Sequence, residues 1–203
     1  MSRFTCAAAL SLVVLLAGCA SPAPPPVLLA LPALAGPAAP AAQAAEAAVP
    51  PRVLALRRVA IPEYLVARRV RYRADASTLA EWPHTFWAER IEVAVAREFA
   101  AALRQRLPGW TVCEAVCADL APELNLQVEL APLDYLRAAR RLDARARVVL
   151  ATAGAVPQTL DAREFELSVA GADDGAPGQA QAISELLRAL ARHVAPLVQG
   201  SPR

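Results

Sequence analysis

The stretch LNLQVEL, residues 124–130, alternates apolar and polar side chains without a fault. Leu124, Leu126, Val128 and Leu130 point one way along an extended chain, and Asn125, Gln127 and Glu129 point the other. A period of two over seven residues fits no helix. It specifies a strand with one buried and one wet face, and a slip of one residue would turn every leucine into water. ARARVVLAT, 144–152, alternates nearly as well, and EFELSVA follows at 164–170. VLALRRVAI at 53–61, VARRVRYR at 66–73 and WTVCEA at 110–115 read as three further strands. A sheet that is wet on one face needs a cover on the other.

Two segments can supply that cover. From Trp82-Pro83 the spacing turns helical, with Trp87, Ile91, Val95, Phe99, Leu103 and Leu107 on one stripe and most charges off it. Pro83 suits a first turn, and Pro108-Gly109 ends the helix. After DDGAPG a second amphipathic helix is predicted from about 179 to 198, with Ile183, Leu186, Leu187, Leu190, Val194 and Leu197 inward. The expected fold is α/β: a two-layer sandwich of a mixed, largely antiparallel sheet with two main amphipathic helices on one face.

The chain ahead of this domain has a different character. Residues 1–18 have the parts of a secretory leader: Arg3 near the amino terminus, then an apolar run from Cys6 to Leu16. That run is well short of the ~20 residues that span a bilayer. It closes on Leu16-Ala17-Gly18-Cys19, which resembles the lipobox of bacterial lipoproteins, whose cysteine is acylated and becomes the first residue. Each buried methylene contributes ~0.8 kcal/mol, so two or more acyl chains anchor stably. Ala20 stands where an aspartate usually retains such proteins in the inner membrane, so the resemblance implies the periplasmic face of the outer membrane. Residues 19–51, with half of the 18 prolines, read as a lipidated cysteine and an extended tether. At ~3.1 Å per residue such a tether reaches several nanometres. VLLALPAL, 27–34, is either a short strand added to the domain or apolar spacer. The domain itself is expected over 52–200.

All 21 basic residues are arginine, and the formal charge is only +2, which gives no reason to expect a nucleic-acid partner. No GxSxG or HExxH signature and no pair of carboxylates at catalytic spacing is present, and no cofactor motif is seen.

The segment VLALRRVAIPEYLVARRVRYR and the later EWPHTFWAERIEVAVAREFAAALRQRLPGW resemble the ABC-type transport auxiliary lipoproteins of the PqiC (YmbA) type. The resemblance is carried by Pro62, Tyr64 and Leu65 in a turn, Arg73 on a strand, Trp82 and Trp87, and the exit Leu107-Pro108. It implies a non-enzymatic accessory of a phospholipid transport system, docking a periplasmic MCE-domain protein, with homo-oligomeric ring assembly around a lipid path as an associated expectation. Tyr64, Arg69, Arg71, Arg73, Trp82 and Trp87 are then the candidate partner interface. Where the family commonly continues with Asp-Arg-Pro-Gln, this chain has Val66-Ala67-Arg68-Arg69, so its interface is expected to differ. An alternative from another class is a carrier that holds an acyl chain in its own cavity.

The remaining residues carry competing readings. Cys113 and Cys117 would lie ~13 Å apart on one strand, too far to bond, yet could meet across a turn. They are a disulfide or two thiols near the core. No histidine lies near them in sequence, which disfavours a metal. His84 and His193 are expected at a helix start and a helix end in structural or surface roles. Two arginine clusters, Arg68–Arg73 and Arg137–Arg147, are a solvated sheet face with cross-strand pairs or a docking surface for an acidic partner or phospholipid headgroups.

Acylation is directly measurable. The mature protein should carry two or more acyl chains on Cys19, and Cys19→Ser should remove them and release the protein from membranes. An unacylated, membrane-bound wild type would contradict this reading.

Overall fold

The computed structural model describes residues 24–33, 51–114 and 117–202. The leader, Cys19 and much of the tether lie outside the described residues. Strand β1 is Val27–Leu29, β2 Arg52–Ala60, β3 Arg69–Arg73 and β4 Leu79–Trp87. Helix α1 is Ile91–Arg106 and is followed by β5 Trp110–Glu114, β6 Leu124–Leu136, β7 Arg141–Thr152 and β8 Thr159–Ala170. Helix α2, Ala176–Gln199, closes the chain.

The eight strands form one mixed sheet in the order β1-β4-β3-β6-β2-β5, with β7 on the other edge of β6 and β8 beyond it. The longest ladders, β6–β7 and β7–β8, are antiparallel. The β2–β5, β2–β6 and β1–β4 pairs are parallel. Both helices pack on one face and against each other. The two-layer α/β architecture is as expected.

The alternating strands do what their pattern requires. Leu124, Leu126, Val128 and Leu130 are all at most 2% exposed, as are Leu142, Ala146, Val148 and Leu150 on β7. They meet Phe99 and Leu103 of α1 and Leu186, Leu187 and Leu190 of α2 in one continuous core. The opposite face carries charge pairs: Glu129 stands beside Arg147, and Arg145 pairs with Glu166 at 3.2 Å.

The first half of β2 differs because both its faces are covered. Leu54 and Leu56 enter the main core, while Val53 and Ala55 pack under Cys113 and Cys117 on the outer face. Those two cysteines, four residues apart, are joined as a disulfide with Cα atoms 5.2 Å apart.

Two boundaries depart from the sequence reading. The helix expected from Trp82-Pro83 begins at Ile91, and 79–87 is strand β4. Arg71 pairs with Glu81 and Arg69 with Phe86, so β4 carries a bulge containing Pro83, which has no N–H to donate, and His84, at φ 51°. The bulge breaks the alternation that would have marked a strand. The strand expected over 66–73 starts at Arg69, because Glu63–Leu65 form a 3₁₀ turn closed by Leu65 N–H to Pro62 O at 2.9 Å. In the tether, the first of the two readings of 27–34, a short strand added to the domain, is the one found. Val27, Leu28 and Leu29 pair in parallel with Thr85, Phe86 and Trp87, and Leu31 is 4% exposed. Residues 27–31 therefore belong to the sheet and core.

Helix α2 opens at a tight junction. Asp173 accepts the Gly178 N–H at 3.1 Å, and a Cβ at Gly178 would come within 2.6 Å of the Asp173 carbonyl oxygen.

Phe99 is fully buried where α1 meets the sheet. Phe99→Ala should cost ~3–5 kcal/mol, a large share of the ~5–15 kcal/mol that holds a domain folded. Chemical denaturation should show this loss, while Val156→Ala, at a site 81% exposed, should change little.

Candidate docking surface

Each member of the predicted interface set has a defined place. The 3₁₀ turn swings Tyr64 over β6, where its hydroxyl donates to Asp134 at 2.9 Å. Arg73, on β3, donates to both oxygens of the same carboxylate at 3.0 Å and lies over the Tyr64 ring. Arg73 and Asp134 are each 17% exposed, so this is a half-sheltered latch. Arg71 donates to the Tyr64 carbonyl at 3.0 Å and to Glu81 at 3.2 Å. Tyr64, Arg71 and Arg73 thus spend their polar atoms on one another and on Asp134 and Glu81. Arg69 is the open member, with its side chain 51% exposed and Glu81 3.4 Å away.

Electrostatics follow from this packing. Burial, and then the hydrogen bond to Asp134, pushes the Tyr64 hydroxyl above its ordinary value of 10.0, with Arg73 opposing. Arg73's own hydrogen bond to Asp134 raises that guanidinium, so it stays charged. On the wet face, the Arg141 hydrogen bond holds Asp143 below the ordinary carboxylate value.

The tryptophans are internal. Trp82 and Trp87 are each 6% exposed. Trp82 donates its indole N–H to Gln179 at 2.7 Å, and Gln179 donates to the Arg71 carbonyl at 2.7 Å. Gln179, 3% exposed, therefore ties the start of α2 to β3 and β4. Arg137 closes the other side of Trp82, 4.5 Å above its ring, and donates to the Tyr72 hydroxyl at 3.0 Å. Trp87 forms the floor of a groove of about 380 Å³ lined by Val66, Arg68, Arg90 and Ile91.

Asp134 and Gln179 escaped the sequence reading, and Arg137 was visible only as one member of an arginine cluster. Asp134 follows Pro132, where the register of β6 shifts between Leu130 and Leu133 and the alternation loses phase. Gln179 had one visible sign, an amide at the mouth of an apolar helical stripe.

The histidines do not meet. His84 is exposed in the β4 bulge, and His193 stacks on Phe165 at 5.1 Å from α2. Among the described residues no three His, Cys, Asp or Glu side chains gather as a metal site. No described helix is long and apolar enough to cross a membrane.

A second polar surface lies on the open face of β2, β6 and β7. A shallow groove of about 260 Å³ runs between Arg58, Gln127, Glu129 and Arg147, with Arg145 two residues before Arg147 on the same face of β7. These side chains stand in water, in contrast to the Tyr64–Arg73–Asp134 latch.

The latch has a titration signature. Tyr64→Phe should remove one tyrosine ionisation that occurs above pH 10, seen by ultraviolet absorbance. Because the folded value is raised, the latch's contribution is complete below about pH 10 and is lost as pH rises through that value. Unfolding midpoints should therefore fall more steeply in that range for wild type than for Tyr64→Phe.

The family model for the ABC-type transport auxiliary lipoprotein component matches residues 33–195. A crystal structure of an uncharacterized protein shares the fold with a TM-score of 0.68 at 18% identity, covering 86% of this chain and 99% of its own. A crystal structure of a Xanthomonas campestris protein gives 0.54 at 12% identity, covering 85% and 91%. At such identities these two likenesses speak for the fold alone. No curated protein matches the chain. With most of its domain spanned by that one model, the chain belongs to the family of ABC-type transport auxiliary lipoprotein components.

Proposed function

We propose that the protein is a non-enzymatic docking subunit of an MCE/ABC-type phospholipid transport system, anchored through Cys19 to the periplasmic face of the outer membrane. The observation that carries this reading is the family match over 33–195 placed directly behind a lipobox. The domain is a scaffold that presents a surface, and its open sheet face is the one suited to a protein partner. Arg58, Arg145 and Arg147 alternate there with Glu129 and Glu166, a mixed charge pattern that sets the register of a docked protein and steers its approach. Five of the six residues first assigned to the interface serve that scaffold from within: Tyr64, Arg71 and Arg73 through the latch, Trp82 and Trp87 through the core.

The carrier reading is weaker on packing grounds. Phe99, Leu103, Leu126 and Leu186 all have 0% exposure between the helices and the sheet. An acyl chain bound there would have to displace close-packed side chains.

The test is capture of the tagged full-length protein from cell envelopes, with a photo-reactive amino acid in place of Arg145, whose side chain is 55% exposed. Amine cross-linkers would fail on a chain without lysine. An MCE-domain protein should be recovered covalently, and intact mass should show acylated Cys19. Recovery of stoichiometric lipid with no protein partner would overturn docking in favour of the carrier.

A further inference from the structure

The chain joins the domain much nearer to Cys19 than its composition suggests. Three contacts hold the segment: β1 pairs with β4, the Leu29 carbonyl accepts the Ala88 N–H at 2.8 Å, and the Pro32 carbonyl accepts the Ser184 hydroxyl at 3.3 Å. Leu31 is buried between these points. Eight residue steps separate Val27 from Cys19, in the sequence ASPAPPP. At ~3.1 Å per step this leash spans about 25 Å. A folded unit of this size has a radius of gyration of about 15 Å, hence a width near 40 Å. A spacer free up to residue 51 would reach about 100 Å and let the domain turn any side to its anchor. A 25 Å leash fixed at one sheet edge does not.

The chemistry of that edge fits the same partner. Leu28, Phe86 and Arg69 form a row across three strands on the face away from the helices. Leu28 is 59% exposed. Arg69 and Arg68 sit over the Phe86 ring at 5.1 and 5.9 Å, and Arg68 has no ion-pair partner among the described residues. Apolar side chains bordered by guanidinium groups suit the boundary between acyl chains and phosphates, where the hydrocarbon enters and the charge stays at the headgroup. A second copy meeting this patch about a two-fold axis would set Arg68 and Arg69 close to the same residues of its mate, which opposes self-association.

We propose that the β1–β4 edge, with Leu28, Phe86, Arg68 and Arg69, is a membrane-contact surface that rests on phospholipid headgroups and is kept there by the short leash to Cys19. This rests on the anchored reading of Cys19 given above, and it leaves the β2–β6–β7 groove, on other strands of the same sheet face, free for a protein partner.

The test couples the Cys19 thiol of the mature chain to a maleimide lipid in vesicles of phosphatidylethanolamine and phosphatidylglycerol. This makes the result independent of acylation in the cell, which the envelope experiment reads separately. A benzophenone amino acid replaces Leu28 in one chain and Val156, in the turn between β7 and β8, in another. Lipid adducts should form several-fold more at position 28 than at 156. Arg68→Glu combined with Arg69→Glu should lower the yield at 28 several-fold while thermal unfolding stays cooperative. Equal yields at the two positions, protein–protein adducts at 28, or indifference to the charge reversal would each overturn the proposal.

Discussion

Strand β6 is the constraint on which the other elements depend. Every backbone donor and acceptor along it needs a partner, and its 13 residues meet that need unevenly. One edge is given wholly to β7. The other is divided, with β2 alongside 124–129 and β3 reached only at Leu136. Pro132, with no N–H, falls in the interval where the second edge changes partner. The sheet thus carries a wing of β2 and β5 at one end of β6 and a wing of β3, β4 and β1 at the other. Both helices cover the same face because β6 and β7 present their leucines and valines there. The Tyr64–Arg73–Asp134 latch exists because the end of β6 brings Asp134 beside β3.

The division has a functional consequence. The β3–β4–β1 wing receives the incoming chain and holds the latch and the Trp82–Gln179 bridge. The β2–β6–β7 face stays open and polar. A lipoprotein component of a transport system has to satisfy both a membrane and a partner, and the split along β6 puts the two proposed contact regions on separate strands of one sheet face. Neither surface needs a cavity, and the helix–sheet space is occupied by side chains with no exposure.

Much of the fold was legible because burial follows period. The strands at 124–130, 144–152 and 164–170 and the second helix could be placed from alternation or helical spacing, since each has one apolar face, and the strand at 53–61 from its short apolar run. β4 could not. Trp87, Ile91 and Val95 are spaced by four, so the helical stripe of α1 runs backward into a strand whose own alternation is interrupted by Pro83 and His84. Nothing marked the true start either, because Arg90 makes no side-chain cap to the first turn. The role of β1 stayed open between strand and spacer. Its partner lies more than fifty residues away, and three apolar residues beside prolines look the same in a spacer as in an edge strand. At the candidate site, the arginines and aromatics were visible as residue types, but their partners Asp134 and Gln179 depend on register and helix placement, which spacing does not encode. For the cysteine pair, a spacing of four left bonded and free thiols equally open, and only the 5.2 Å separation of their Cα atoms distinguishes them.

The central claim is that the tether enters the sheet at Val27 and that the domain is therefore held close to its anchor. Amide hydrogen exchange on the mature chain tests it most directly. Residues 27–31 should show protection comparable to that of β4, and Ala88, bonded to Leu29, should be protected with them. Exchange of 27–31 at the rate of an unstructured chain, with β4 still protected, would return the whole segment to spacer and contradict the account.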